Sequence, residues 1–398
     1  MRNRLFNTSL KILSSSKLAL MLVAVVMLFF LAGAVLPQEG RLGPAEIARW
    51  QEARPTLTSI LKPAGLFHVF YSWPFLISIL VLGVNTLTCT ALHSFREGYK
   101  SFLKGPRRTE KTGFLLLHLS LVLLLAGGFW SAATKLSGFV VLTEGQQFTE
   151  THAGYLWIAE GPFRPKRHKG FVASLREVRT DYEQKTYQVD VSSSLDILAG
   201  GKKVAEGTIR FNVPFVHQGL SFTQHDVGFS PRLRICDRRT GKLMLDSFVA
   251  LKTFHGADES EYRDFLPLPF LENRVIITLY PDFSDDNGKL RKTGDEPENP
   301  LLLVETEGQP GHVLSRERLP KGGSIDVGRY TLSFTDLRRW ASFRIVADPG
   351  YPVVLASLWL GVAALLLRYV PDLWRWFDPR GRIVEGAVIQ PAAASRLN

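Results

Sequence analysis

Four apolar stretches constrain the fold of this 398-residue sequence more than any other feature, because each runs for 18 residues or more without Asp, Glu, Lys or Arg. A helix rises about 1.5 Å per residue, so a stretch of this length crosses the ~30 Å hydrocarbon core of a bilayer. One such stretch could be a buried helix of a soluble protein, but four with charged flanks indicate an integral membrane protein. The predicted transmembrane helices cover residues 18–36, 72–92, 112–134 and 348–368.

The first stretch also has features of a secretory signal, namely a basic start and the small-x-small sequence Ala32-Gly33-Ala34. Its apolar run is 19 residues long, whereas the apolar part of a signal usually has roughly 7–15 residues. Cleavage would also remove one span and leave an odd number. We therefore predict an uncleaved membrane anchor.

The formal net charge of +11 is concentrated in three segments. Residues 1–17, 93–111 and 368–398 together hold 15 Lys and Arg against 5 Asp and Glu, whereas residues 134–347 hold 29 against 28. The positive-inside rule then places the tail 1–17, the loop 93–111 and the tail 369–398 in the cytoplasm. The loop 37–71 and the large region 135–347 are predicted to lie outside. Because the charge follows the topology, a nucleic-acid partner is not expected.

The region 135–347 is predicted to be a mostly β, antiparallel, sandwich-like extracytoplasmic domain between the third and fourth helices. Short runs of alternating and β-branched residues recur, separated by Gly- and Asn-containing turns. The segment 293–300 is predicted to be an exposed loop. The predicted strands cover residues 138–143, 155–159, 171–178, 187–191, 207–213, 220–224, 233–236, 248–253, 275–279, 301–304 and 330–335.

Several classes of chemistry are excluded by the sequence. The only two cysteines, Cys89 and Cys236, lie in segments predicted to be on opposite sides of the membrane, and no CxxC motif is present, so thiol–disulfide exchange within the chain is excluded. The histidines show no zinc or metalloprotease spacing, and no nucleophile or phosphate-binding motif occurs. His217 and His225 flank a Gln-Gly turn and could face each other in a hairpin, although surface positions are the simpler interpretation.

The third apolar stretch contains a single ionisable residue, His118. Ionisable groups inside a membrane are costly and often mark a pathway or a cofactor, but a neutral imidazole can also serve only as a structural hydrogen-bonding group. On the second stretch, Asn85, Cys89 and His93 share one helix face, either for contact between helices or as the lining of a polar cavity near His118.

Small residues near the end of the third stretch are predicted to allow close approach to another helix. These residues are Gly127, Gly128 and Ser131. Close packing of transmembrane helices depends on such residues because they let two backbones approach each other.

Several strings together resemble the ResB family, also called CcsB. They include WPFLISILVLGVNTLTCTALHSFR at Trp73–Arg96, with its Asn and Cys, and GFLLLHLSLVLLLAGG at 113–128, with His118. The outer segment IRFNVPFVHQGLSFTQHDVG at 209–228 and the sequence Asp-Pro-Gly-Tyr-Pro at 348–352 are also similar to that family. The order of three spans, a large outer domain and one span matches the family over most of the chain.

The resemblance implies a subunit of the system II cytochrome c maturation complex in a cell inner membrane, and the sequence does not distinguish a bacterial inner membrane from a thylakoid. Its partners would be a ResC/CcsA-like multi-span protein and apocytochrome c, and its transient cofactor would be haem b. His118 would be an axial ligand to the haem iron, with Asn85, Cys89 and His93 lining a cavity. The Trp-rich motif of haem handling belongs to the partner, and the Trp- and Arg-containing segment 374–378 is interpreted as an interfacial belt. The chain alone is therefore not expected to be the ligase.

Two alternatives remain open from the sequence. In the first, the chain is a membrane-anchored extracytoplasmic binding or assembly protein that binds no haem, and His118 only packs. In the second, it is a proton-coupled transporter, although relays of that kind generally need more than one ionisable residue within the spans.

Overall fold

A computed structural model describes residues 12–38, 44–96, 108–164, 168–183, 187–255, 260–266, 268, 270, 273–286, 289–309 and 312–377. These residues form two compact units. The helical unit comprises Met1–Lys135, Glu160–Arg164 and Asp348–Asn398, and the β unit comprises Leu136–Ala159 and Pro165–Ala347. Much of the predicted tail 1–17, loop 93–111 and tail 369–398 lies outside the described residues.

The described part of the helical unit contains six α-helices, and four of them are long and apolar enough to cross a membrane. This confirms the prediction of a four-helix membrane protein. The two short helices, α2 and α3, lie in the loop between the first two long ones. The helices are α1 Ser16–Val35, α2 Pro44–Glu52, α3 Pro55–Leu61, α4 Trp73–Arg96, α5 Arg108–Thr134 and α6 Tyr351–Phe377.

The antiparallel pair α5 and α6 packs through small residues. A Cβ atom at Gly113 would lie 2.9 Å from the carbonyl oxygen of Ala364, and one at Gly127 would lie 3.0 Å from the backbone nitrogen of Val354. Such close approach needs a residue without a Cβ atom, and glycine is common at contacts between transmembrane helices for this reason. Gly128 has nothing within 4 Å of its Cβ position, so its predicted role in close packing is wrong: it lies on another face of the helix.

Within the described residues eighteen strands form the β unit, and every strand pairing with a defined register is antiparallel. The strands are β1 Leu136–Thr143, β2 Gln147–Thr149, β3 Trp157–Glu160, β4 Val172–Glu183, β5 Tyr187–Ala199, β6 Lys202–Arg210, β7 Phe215–His217, β8 Leu220–Asp237, β9 Leu243–Phe248, β10 Thr253–His255, β11 Ser260–Leu266, β12 Arg274–Tyr280, β13 Asp282–Asp286, β14 Lys289–Gly294, β15 Leu301–Gln309, β16 His312–Pro320, β17 Ser324–Val327 and β18 Tyr330–Ala347.

The long strands β8 and β18 run the length of a seven-stranded sheet ordered β3-β1-β18-β8-β7, with β17 on β18 and β9 on β8. One core packs this sheet against the four-stranded sheet β2-β4-β5-β6. A second core packs it against the five-stranded sheet β10-β11-β12-β15-β16. The predicted antiparallel sandwich is therefore confirmed, as two modules that share two strands.

Each of these long strands contains one bulge that keeps its buried residues on a single face. His225 in β8 and Thr335 in β18 are skipped in the pairing of the two strands. The buried side chains of β18 accordingly change from even positions such as Phe334 to odd positions such as Phe343. An extra residue shifts the two-residue period by one, so without the bulges half of each series would point away from the cores.

Two local predictions for the β unit are wrong. A strand over 248–253 is not present, because β9 ends at Phe248. The segment 293–300 is not simply an exposed loop: β14 extends to Gly294, and the Asp295 carboxylate is buried, accepting hydrogen bonds from Tyr262 (2.9 Å) and the ammonium of Lys292 (2.6 Å).

His217 and His225 do not face each other. His217 is opposite Leu220 in the β7–β8 hairpin, so the facing arrangement that the sequence left open does not occur. The ring of His217 contacts Phe171 at 5.1 Å between centroids, whereas the ring of His225 contacts Phe139 at 5.6 Å. The surface position that the sequence favoured is confirmed for His225, which is exposed, whereas His217 is half-buried.

Candidate functional site

The imidazole of His118 is held in a defined orientation by the preceding turn of α5. Its Nδ1 lies 2.9 Å from the carbonyl oxygen of Phe114, and the two rings are in contact with centroids 4.0 Å apart and planes tilted by 42°. A carbonyl oxygen can only accept, so Nδ1 carries the hydrogen and Nε2 carries the lone pair in the neutral ring. Among the residues that the structure describes, Nε2 has no hydrogen-bond partner.

An apolar groove of about 450 Å³ lies between α4 and α5. Its walls come from Ile79, Gly83 and Leu87 on α4, from Val122 to Thr134 on α5, and from Phe163. Val122, Leu125 and Phe129 follow His118 by four, seven and eleven residues, which places them on the same face of α5 as the imidazole. The histidine therefore stands in line with the groove.

These features fit an axial haem ligand with an apolar pocket. Haem iron takes a neutral imidazole, whose other nitrogen usually donates to a carbonyl or carboxylate that fixes the ring. The Phe114 carbonyl occupies that second position at His118. The macrocycle needs apolar walls, and the groove provides them.

A guanidinium group lies beside the same turn of α5. The Cζ atom of Arg368, on α6, is 5.8 Å from the ring centre of Phe114 and 5.5 Å from that of Tyr369. One of its nitrogens donates to the carbonyl oxygen of Glu110 at 3.5 Å. Gly113 permits this approach, because a Cβ there would lie 2.9 Å from the Arg368 backbone nitrogen.

The polar residues of α4 are not brought together with His118 by any contact among the described residues. Asn85 is buried and donates its amide to the carbonyl oxygens of Leu13 (2.6 Å) and Ser15 (3.2 Å), at the start of α1. This is the contact between helices that the sequence left open as one alternative. Cys89 is a partly buried free thiol, and neither it nor Asn85 lines the groove. The side chains of His93 and of residues 374–378 lie outside the described residues.

Sequence reasoning found His118 but missed Phe114 and Arg368. Phe114 precedes the histidine by four residues, the spacing of a side chain bonded to its own helix, and that signal was readable. In the sequence, Arg368 served only to predict membrane orientation. Its position beside α5 results from the packing of α6 on α5, which no local sequence pattern indicates.

The fold and this site define a four-helix membrane protein with a large antiparallel β unit inserted before its last helix and a histidine inside its membrane region. The profile of the ResB-like family matches residues 16–108 and 104–396. The chain belongs to that family.

Its curated relatives are cytochrome c biogenesis proteins. CcsB of Crocosphaera subtropica is 21% identical over 427 residues, covering 93% of this chain and 88% of the relative. Ccs1 of Rhodomonas salina is 22% identical over 444 residues, covering 96% and 93%. CcsB of Thermosynechococcus vestitus is 24% identical over 424 residues, covering 93% and 89%. Among solved structures, a cytochrome c haem lyase, CcmF, matches with a TM-score of 0.29 and 13% identity, over 79% of this chain and 34% of that one.

Proposed function

We propose that this chain is the subunit of a system II cytochrome c maturation complex that helps to export haem and presents it, with apocytochrome, for covalent attachment. The observation that carries the proposal is the imidazole of His118, fixed through Nδ1 by the Phe114 carbonyl (2.9 Å) in line with an apolar groove. His118 Nε2 is the axial ligand to haem b in this proposal, and a group on a partner helix is the opposite ligand.

The attachment chemistry belongs, in this proposal, to a ResC/CcsA-like partner, and the chain is a non-catalytic subunit. In this proposal its termini lie in the cytoplasm of a cell whose inner membrane it spans, with the β unit in the periplasm, and the basic segments support that orientation. Unfolded apocytochrome binds the β unit by adding a strand at a sheet edge. The nine-residue strands β6 and β16 support this role because, among the described residues, each ends its sheet and pairs with a single strand.

A competing function is a membrane-anchored assembly protein that binds no haem. It is favoured by the fact that the Nδ1 of His118 is already bonded within its own helix, as a purely structural histidine would be. The two functions differ in the role of Nε2: it coordinates the haem iron in the first and has no ligand to bind in the second.

Replacement of His118 separates the two functions. The full chain is co-expressed with its multi-span partner, purified, and examined by absorption spectroscopy for bound haem. We expect His118→Ala to lower haem content at least about tenfold, since even outer-shell partners of a ligand contribute that much to binding. Added imidazole is expected to restore part of the haem spectrum, because it supplies the missing nitrogen ligand.

The matched control is His68→Ala, which removes an exposed histidine from the same helical unit. Its haem content and cytochrome c yield are expected to equal those of the wild type. Full haem retention and full cytochrome c yield in His118→Ala would overturn the ligand assignment and favour the assembly function.

A further inference from the structure

Arg368 is the first charged residue after the apolar part of α6, and its guanidinium lies among aromatic rings. It is partly buried, whereas its neighbours Leu367 and Tyr369 are 41% and 52% exposed. A charged group that is partly buried is stabilised by a polar partner. The guanidinium therefore has to be accounted for as a chemical group and not only as a topological signal.

The contacts of Arg368 leave most of its hydrogen-bonding capacity unused. A guanidinium has five N–H donors in a planar fork that matches a carboxylate. Its only hydrogen bond within the described residues goes to the Glu110 carbonyl, at 3.5 Å. No carboxylate of those residues pairs with it. The ring contacts with Phe114 and Tyr369 orient the plane of the group but supply no acceptor for the fork.

The position of this fork relative to His118 is set by Phe114. The centre of the Phe114 ring lies 4.0 Å from that of the imidazole and 5.8 Å from Arg368 Cζ. The guanidinium and the imidazole are thus no farther apart than these two distances together. The carboxylates of haem lie at the edge of the macrocycle, so this upper limit leaves a carboxylate of a haem bound at His118 within reach of the guanidinium.

We propose that Arg368 binds a propionate carboxylate of the haem whose iron is held by His118. The inference rests on the proposed function and adds to it a recognition element for the charged edge of the ligand. His118 then fixes the iron, the groove covers the apolar macrocycle, and Arg368 pairs with a carboxylate at the end of the site nearest the start of α5. A charge-assisted, two-pronged pair of this kind selects the free acid form of the porphyrin.

The competing occupant is the phosphate of a lipid headgroup, which would use the same fork. The contacts favour haem, because Arg368 is directed against α5 at Glu110 and Phe114 and is less exposed than both of its neighbours on α6. A residue whose task is to reach the headgroup layer would extend away from the helix pair.

The test compares two haems in the full chain co-purified with its partner. The probes are iron protoporphyrin IX and its dimethyl ester, which has the same iron and macrocycle but no carboxylate charge. Affinities for both are measured by absorption titration in nanodiscs of zwitterionic lipid and of anionic lipid. In the wild type the free acid is expected to bind about tenfold more tightly than the ester, the size expected for a hydrogen-bonded charge pair.

Arg368→Gln is expected to reduce that ratio towards one while leaving the affinity for the ester unchanged. Arg368→Lys keeps the charge without the planar fork and is expected to give an intermediate ratio. The matched control is Arg54→Gln, since Arg54 also lies over an aromatic ring, at 5.0 Å from that of Trp50. It is expected to keep the wild-type ratio. Thermal melting and co-purification of the partner confirm that each variant is folded.

Three outcomes overturn the inference. The first is an unchanged ratio in Arg368→Gln, and the second is an equal weakening of both haems. The third is an effect that appears only in anionic nanodiscs, which identifies the lipid phosphate as the occupant. Any of these leaves the proposed function intact as long as His118→Ala abolishes binding of both haems. Retention of both haems by His118→Ala overturns the proposed function itself, whatever the ratio.

Discussion

In the helical unit, most hydroxyl groups of the long helices bond to their own helix, whereas in the β unit buried polar groups bond across strands that are far apart in sequence. Thr86 donates to the carbonyl of Leu82, four residues earlier, at 2.8 Å. An exception is Ser131, which donates to Asp348 at 2.8 Å. In the β unit Thr143 donates to Ser230 at 3.1 Å and Ser193 donates to Gln224 at 2.7 Å. A membrane helix satisfies its backbone within itself and offers its carbonyls to nearby hydroxyl groups, while a sheet joins distant segments.

The two units also differ in the size of the residues at their internal contacts. The α5–α6 pair meets at small residues such as Gly113 and Gly127. The cores of the β unit contain large, fully buried side chains, among them Phe222, Phe334 and Phe343. Lipid is as apolar as a leucine side chain, so membrane helices gain by close approach, whereas water-surrounded sheets gain by burying apolar area. Truncation of a buried side chain should therefore lower the stability of the β unit, and enlargement of a small residue at the helix contact should lower the stability of the helical unit.

The largest effect is expected from Phe334→Ala. Phe334 is completely buried in the second core, and its truncation removes a large apolar side chain and leaves a cavity. A loss of about 3–5 kcal/mol in the free energy of unfolding of the β unit is expected. The measurement is proteolysis of the full chain in detergent over a series of urea concentrations, following loss of the β-unit fragment.

The control is Phe211→Ala in the same unit, since this phenylalanine is 60% exposed. We expect its midpoint to lie close to that of the wild type. Equal destabilisation by the two changes would mean that burial does not stabilise the β unit, and the contrast with the helices would fail.

The contrast between the units was partly predictable from sequence. Charge-free length identified the four membrane helices, and two-residue alternation identified most long strands. Alternation did not predict that β8 and β18 are continuous long strands, because the bulges at His225 and Thr335 shift the alternation of buried and exposed residues by one position within each strand. Each long strand therefore read as one or two short ones, and the sharing of strands by two cores is a property of the pairing alone.

The next effect in size is expected from Gly127→Val, compared with Gly128→Val. A Cβ at Gly127 meets Val353 and the Val354 backbone, both at 3.0 Å, whereas Gly128 has open space. Both changes cost the same in helix propensity, so the difference isolates the α5–α6 contact. We expect about 1–3 kcal/mol from the overpacking at Gly127. The measurement is thermal melting of the helical unit of the full chain in detergent. Equal melting temperatures would show that the helices do not depend on close approach.

The candidate site shows a similar division between local and long-range information. His118 stood out because an ionisable residue in an apolar run is rare. Its bond to Phe114 is local, and the four-residue spacing could have indicated it. Arg368 is 250 positions away in the sequence, and only the packing of α6 on Gly113 brings it beside the same turn.

The smallest effect concerns a charge in the β unit and depends on pH. The hydrogen bonds that Asp237 accepts from Arg329 are the largest cause that lowers the pKa of its carboxyl to about 2, helped by the backbone N–H groups of Thr240 and Arg239. In the unfolded chain an aspartate titrates near 3.9. Because the folded value is the lower one, the stabilisation is fully present above about pH 4 and is lost as the pH falls towards 2.

Asp237→Asn should therefore lower the melting temperature at neutral pH and make the stability less dependent on pH between about 4 and 2, by at most one proton. Arg329→Gln, which removes the other partner, is expected to flatten the same pH range. The measurement is near-ultraviolet circular dichroism of the full chain in detergent at a series of pH values. An unchanged slope in both variants would show that this pair does not couple protonation to folding. The β unit would then resemble the helical unit in depending on packing rather than on long-range polar contacts.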